Sequence, residues 1–125
     1  MVHCPLFPEI AAYARFHPEK DFGLHITLTS EWKNYKWGPV TPSHNVPGLV
    51  NINGFFYSSV YSVIQNASFA EVEEEIRNQV KRVKQFGMNP SHLDAHMYAI
   101  HNNLGFLKSY LRVGHVFNIP VFIYR

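Results

Sequence analysis

The sequence predicts an α/β domain in which parallel strands alternate with helices. Three observations carry this expectation. Phe22 to Thr29 alternates apolar and polar residues, the period of a strand. Ser68 to Phe86 repeats apolar residues at helical spacing between recognisable caps. Two further strand-like stretches, His92 to Met97 and Pro120 to Tyr124, are separated by another helical repeat. Strands that alternate with helices along a chain form a parallel sheet or barrel with the helices outside.

Val2-His3-Cys4 reads as the end of a strand. Pro8 then suits the first turn of a helix, where its missing N–H is not needed. That helix carries Ile10, Ala11, Ala14 and Phe16 and stops at Pro18. In the next strand Phe22, Leu24, Ile26 and Leu28 face one way, and Gly23, His25, Thr27 and Thr29 the other. Ser30 to Phe56 is rich in Gly, Pro, Asn, Trp and Tyr, a long aromatic loop of the kind that carries function in compact domains. Ser58 to Ile64 reads as a short helix. In the helix that follows, Ser68 and Glu71 form a capping box. Phe69, Val72, Ile76, Val80 and Val83 make its apolar stripe. Acids fall early and bases late, complementing the helix dipole, and Gly87 and Pro90 end the element. After the His92 strand, Asn102 or Asn103 caps a helix bearing Leu104, Leu107, Tyr110, Leu111 and Val116. Val121 to Tyr124 is expected to be a buried final strand.

Composition narrows the function classes. The 125 residues suit one domain, and 46% hydrophobic against 16% charged residues suits a packed core rather than disorder. A net charge of +2 with scattered bases argues against nucleic acid as a partner. No run of about 18 apolar residues suggests a membrane span, and the N-terminus does not read as a secretory signal, so a cytoplasmic location is expected. The single cysteine, Cys4, allows neither an internal disulfide nor a cysteine zinc site. Eight histidines against nine acidic residues direct attention to imidazole chemistry.

Those histidines are not scattered at random. His25, Thr27 and Thr29 share one strand face, and His92, Asp94 and His96 share another by their period of two. Ligand sites in parallel α/β proteins form at the C-terminal ends of strands. A histidine from each strand with a carboxylate nearby can hold a divalent ion with open positions for water. The same spacing also suits a simpler arrangement in which Asp94 only orients a histidine. Trp32, Tyr35 and Trp37 have two readings as well: a sugar-stacking surface, or ordinary loop packing.

Two stretches carry a family resemblance. Gly23-Leu24-His25-Ile26-Thr27-Leu28-Thr29-Ser30-Glu31-Trp32 resembles the glycine-leucine-histidine strand of YdjC-like carbohydrate deacetylases. Pro90-Ser91-His92-Leu93-Asp94-Ala95-His96-Met97 is similar to their second motif, Pro-Thr-His-Leu-Asp-Ser-His. Met1 to Pro5 and Trp37-Gly38-Pro39 also stand where that family has similar residues. The resemblance implies a partial (β/α) barrel of the polysaccharide-deacetylase type. It implies a divalent metal ion, zinc or magnesium, held by His25 and His96. It implies hydrolysis of N-acetyl groups on amino sugars or chitooligosaccharides, with Asp94 and His92 assisting the chemistry. Thr27, Glu31, Trp32 and Trp37 are the expected substrate contacts.

The family's acidic Asp-Asp-Phe-Gly motif has no counterpart here. Asp21-Phe22-Gly23 is similar only in letters and leads straight into the His25 strand. Residues 1–125 are therefore expected to form one incomplete deacetylase domain, with Asp94 or Glu31 as candidates for the missing carboxylate. The second reading is a non-catalytic sugar- or metal-binding module. On either reading an incomplete barrel leaves open sheet edges and apolar faces, so a homo-oligomer is expected.

Overall fold

The computed structural model describes residues 1–124. Its α-helices are α1 (Phe7–Phe16), α2 (Val60–Asn66), α3 (Phe69–Gln85) and α4 (Leu104–Phe117), and its strands are β1 (Leu24–Ile26) and β2 (Leu93–Ala95). β1 and β2 run parallel, with Leu24 opposite Leu93, His25 opposite Asp94 and Ile26 opposite Ala95. Val121 extends this sheet through a single parallel bridge to Leu93. The α/β class follows as expected, with a small parallel sheet.

Several expected elements are shorter or turned. Val2 to Cys4 forms a turn rather than a strand end. In α1 the buried residues are Phe7, Ala11 and Ala14. Ile10 and Phe16, expected on the buried side, are exposed. They lie off the arc that Phe7, Ala11 and Ala14 define, and Phe7 packs edge-on against Phe86 at 5.2 Å.

The chain stays buried beyond β1, from Thr27 to Ser30. Among the described residues no neighbouring strand takes up Thr27. Gln79 of α3 does so instead: Thr27 N–H donates to Gln79 Oε1 (3.1 Å) and Gln79 Nε2 donates to Thr27 O (2.7 Å). One side-chain amide thus meets both backbone groups of Thr27, as a paired strand would.

α3 begins with the expected capping box between Ser68 and Glu71. Its core face includes Glu75 and Gln79 besides Val72, Ile76, Val80 and Val83. Glu75 is fully buried and fastens the long loop: Val40 N–H and Thr41 N–H donate to its two oxygens at 3.0 and 2.9 Å. Gly48 N–H donates to Glu71 at 2.6 Å. The loop is further ordered by short 3-10 helices at Ser43–Asn45 and Pro47–Leu49 and by an antiparallel bridge between Val50 and Phe56.

Asn103 caps α4 by accepting from Gly105 N–H and Phe106 N–H. The buried face of α4 is Phe106, Ser109, Tyr110, Val113 and Gly114. Leu104, Leu111 and Val116, expected inside, are exposed. Gly114 lets the helix close on the last segment, since a Cβ there would stand 2.4 Å from Val121 Cγ1. Tyr110 is buried, which pushes its phenol pKa upward, and its hydroxyl donates to the Leu93 carbonyl. The expected buried strand at Pro120 to Tyr124 is therefore only bridged at Val121. Phe122, Ile123 and Tyr124 are exposed, because no element covers their outer side among the described residues.

Candidate functional site

The parallel register places His25 beside Asp94 on one sheet face, while Leu24, Ile26, Leu93 and Ala95 are buried. His25 Nδ1 lies 2.8 Å from Asp94 Oδ2. Immediately after β2 the chain reverses. Met97 and Tyr98 both take left-handed backbone angles, with φ of 53° and 54°. The reversal sets the His96 ring against His25, with His25 Nε2 and His96 Nδ1 3.2 Å apart. The other nitrogen of His96, Nε2, lies 2.8 Å from Glu31 Oε1. Thr29 Oγ1 donates to the second oxygen of Glu31 at 3.3 Å. Asp94, His25, His96 and Glu31 thus form one continuous row. Their side chains are 17% exposed at His96 to 39% at His25, so the row is open to solvent.

The row has a definite electronic arrangement. Carboxylate oxygens accept hydrogen bonds, so each carboxylate requires a ring N–H from its histidine. His25 therefore carries its proton on Nδ1 and His96 on Nε2. With both rings neutral, His25 Nε2 and His96 Nδ1 face each other as bare lone pairs. Lone pairs at 3.2 Å repel unless a proton or a metal cation lies between them. Two nitrogens on one tetrahedral zinc stand about 3.3 Å apart, given the usual Zn–N distance. The donor set fits a divalent ion, and a carboxylate behind each imidazole is the usual support for such ligands. Among the described residues, however, no group of three or more His, Cys, Asp or Glu side chains converges as a complete metal cage.

Of the other expected site residues, Glu31 joins the row and the rest do not. His92 bonds Ser91 Oγ at 2.9 Å and stands 4.0 Å from Asp21. Its ring packs over Gly23, where a Cβ would approach Nε2 to 2.3 Å. It joins none of the hydrogen bonds of the row, so an assisting role next to Asp94 has no geometric support. Thr27 is fully buried and its hydroxyl donates to the His25 carbonyl, leaving it no face for a substrate. Glu31, expected at the substrate, is occupied with His96. Trp32 and Tyr35 are exposed and Trp37 is buried, their rings forming a triangle with centroids 6.0 to 6.4 Å apart. The pairing of Glu31 with His96 lies outside the sequence expectations, although Glu31 continues the odd-numbered series of His25, Thr27 and Thr29.

Fold and site together define an α/β protein with a histidine–carboxylate cluster at the C-terminal ends of parallel strands. The YdjC-like protein family matches residues 1–125. The carbohydrate deacetylase of Oceanobacillus iheyensis is 33% identical over 110 residues, covering 86% of this chain and 44% of that protein. The carbohydrate deacetylase of Geobacillus stearothermophilus is 32% identical over 96 residues, covering 77% of this chain and 35% of that protein. Among solved structures, an Enterococcus faecalis V583 protein assigned to cellobiose-phosphate cleavage superposes with a TM-score of 0.84. It is 27% identical and covers 95% of this chain and 44% of its own. The chain belongs to the YdjC-like family. It spans less than half the length of the curated relatives it matches.

Proposed function

We propose that the chain carries the histidine side of the metal centre of a hydrolase that removes N-acetyl groups from amino sugars. The observation that supports this most directly is the pair of facing imidazole nitrogens, His25 Nε2 and His96 Nδ1, 3.2 Å apart, each ring bonded to a carboxylate behind it. Such a site suits zinc better than magnesium, because imidazole nitrogen favours the former and oxygen the latter. A divalent ion bound there would polarise the acetyl carbonyl and lower the pKa of bound water. His25 and His96 hold it, and Asp94 and Glu31 orient them. Asp94 and Glu31 are also the candidates for moving a proton. Trp32 and Tyr35 offer exposed rings on which a sugar face can stack.

The deacetylase names of the relatives support the reaction class. Membership of the family supports the polysaccharide-deacetylase type of barrel, to which β1, β2 and Val121 would contribute neighbouring strands. No helix among the described residues is long and apolar enough to cross a membrane. A second reading, metal or sugar binding without turnover, is favoured by the incomplete ligand cage. Self-association is supported by the exposed Leu6, Ile10 and Tyr13 stripe on α1 and by exposed Phe122 and Ile123 near the sheet edge. Light scattering tests it, and a strictly monomeric species at high concentration would remove it.

The deciding experiment compares metal content in the purified protein and in a His25→Ala/His96→Ala double variant. Stoichiometric zinc that is lost in the variant supports the site. Acetate release from N-acetylated chitooligosaccharides by the zinc-loaded protein then separates hydrolase from binding module. A protein that takes up no divalent ion after reconstitution would overturn the metal-centre reading.

A further inference from the structure

Away from the histidine row, a pocket of about 360 Å³ lies between the chain start, the aromatic loop and α3; its walls include His3, Lys36, Trp37 and Arg82. Buried polar atoms normally find partners, so those that do not are informative. Of the few buried side-chain nitrogens without a hydrogen-bond partner among the described residues, His3 Nδ1 and Nε2, Trp37 Nε1 and Arg82 Nε all belong to residues that line this pocket, His3 and Trp37 also lining a smaller cavity. Trp37 Nε1 and Arg82 Nε can only donate. The His3 side chain is 5% exposed and its ring presents one N–H in either neutral form.

Among the described residues these donors make no hydrogen bond to a protein acceptor. Glu75 comes within 3.5 Å of His3 Nε2, but in an alignment that makes no hydrogen bond. Its oxygens already accept from Val40 N–H, Thr41 N–H and Gln79 Nε2. Arg82 pairs with no carboxylate among the described residues, and its guanidinium is held 5.6 Å from the centre of the Phe86 ring. Lys36 adds a second positive charge while donating to the Ser30 carbonyl. The wall therefore combines cationic charge with surplus N–H donors.

We propose that this pocket binds an oxyanion, either a free ion or an acidic substituent on a larger ligand, with Arg82 and Trp37 as its donors and His3 supporting them. Charge-assisted hydrogen bonds to an anionic oxygen are the strongest way to satisfy such groups. The site is separate from His25 and His96 and does not depend on the deacetylase reading.

The test is calorimetric titration of chelator-treated protein with inorganic phosphate and, separately, with acetate, at low chloride. A His25→Ala/His96→Ala background keeps the histidine row from contributing. Saturable one-to-one binding that weakens about tenfold in Arg82→Gln, and by a smaller factor in Trp37→Phe, is the expected result. Saturation by phosphate alone identifies a phosphate-type ligand, and saturation by acetate with the same variant dependence identifies a carboxylate. Thermal melts establish that each variant is folded, and if Trp37→Phe is not, Arg82→Gln decides. No saturation by either anion, or equal affinity in folded Arg82→Gln, overturns the proposal.

Discussion

Glu31 and Asp94 do the same work from opposite ends of the row: each holds one ring N–H so that the other nitrogen stays bare. An amide in either place can donate as well as accept and so stops enforcing the tautomer. Glu31→Gln and Asp94→Asn should each weaken zinc affinity by about 10–100-fold, read by competition with a chromogenic chelator. His92→Ala should leave that affinity unchanged, because His92 bonds Ser91 rather than the row. The reversal after β2 adds a second residue-scale expectation. Met97 takes a left-handed conformation that costs a side chain roughly 1 kcal/mol or more and costs glycine nothing. Met97→Gly should therefore raise the melting temperature by a few degrees or leave it unchanged, while the looser turn lowers zinc affinity by freeing His96. A variant with a lower melting temperature and unchanged affinity would contradict this.

At the scale of elements, the start of α3 makes a pH-dependent joint. Burial pushes the Glu71 carboxyl up, but bonds from the Ser68 hydroxyl, Ser68 N–H and Gly48 N–H outweigh it and leave the pKa below its ordinary 4.5. A lowered carboxylate pKa adds stability above the unfolded value and loses it as pH falls through the folded one. Urea midpoints should thus fall as pH drops below about 4.5, and this fall should be shallower in Glu71→Gln. Ser68→Ala should cost about 1 kcal/mol. This joint was legible in the sequence because capping is local: Ser68 and Glu71 are three residues apart and declare themselves. The faces of α1 and α4 were less legible. Ile10, Phe16, Leu104 and Val116 fit an apolar stripe by period alone, but which arc of a helix is buried depends on what it meets. Glu75 and Gln79 were unreadable for the same reason, since their partners are backbone groups 34 to 52 residues away. His25, Asp94 and His96 were legible from strand parity, whereas the turn that swings His96 onto Glu31 depends on backbone angles that no residue pattern announced.

For the whole molecule, two carboxylates of α3, Glu75 on its core face and Glu71 at its start, help decide how the aromatic loop belongs to the fold. Val40, Thr41 and Gly48 reach the scaffold through side-chain carboxylates rather than a backbone ladder, the Val50–Phe56 bridge is the loop's only one among the described residues, and Trp37, Val46, Leu49 and Phe56 sink into the core. Attachment of this kind has a consequence for how the protein comes apart. A region joined to its scaffold by side-chain hydrogen bonds and a few core side chains, without a sheet ladder, can open as its own cooperative unit, at a free energy below that of global unfolding. Glu75→Gln replaces an acceptor oxygen with a donor and leaves one of two buried backbone N–H groups unmatched, so it lowers that local free energy most. Limited proteolysis should then cut the variant in the segment around the exposed Ile52 while the amides of α3 and α4 remain protected from hydrogen exchange. The detached loop carries Trp32, Tyr35 and Trp37 with it, and Glu31 at its start, so a cell protease encountering this protein would remove the aromatic surface together with the carboxylate behind His96 and leave His25 and Asp94 on the sheet.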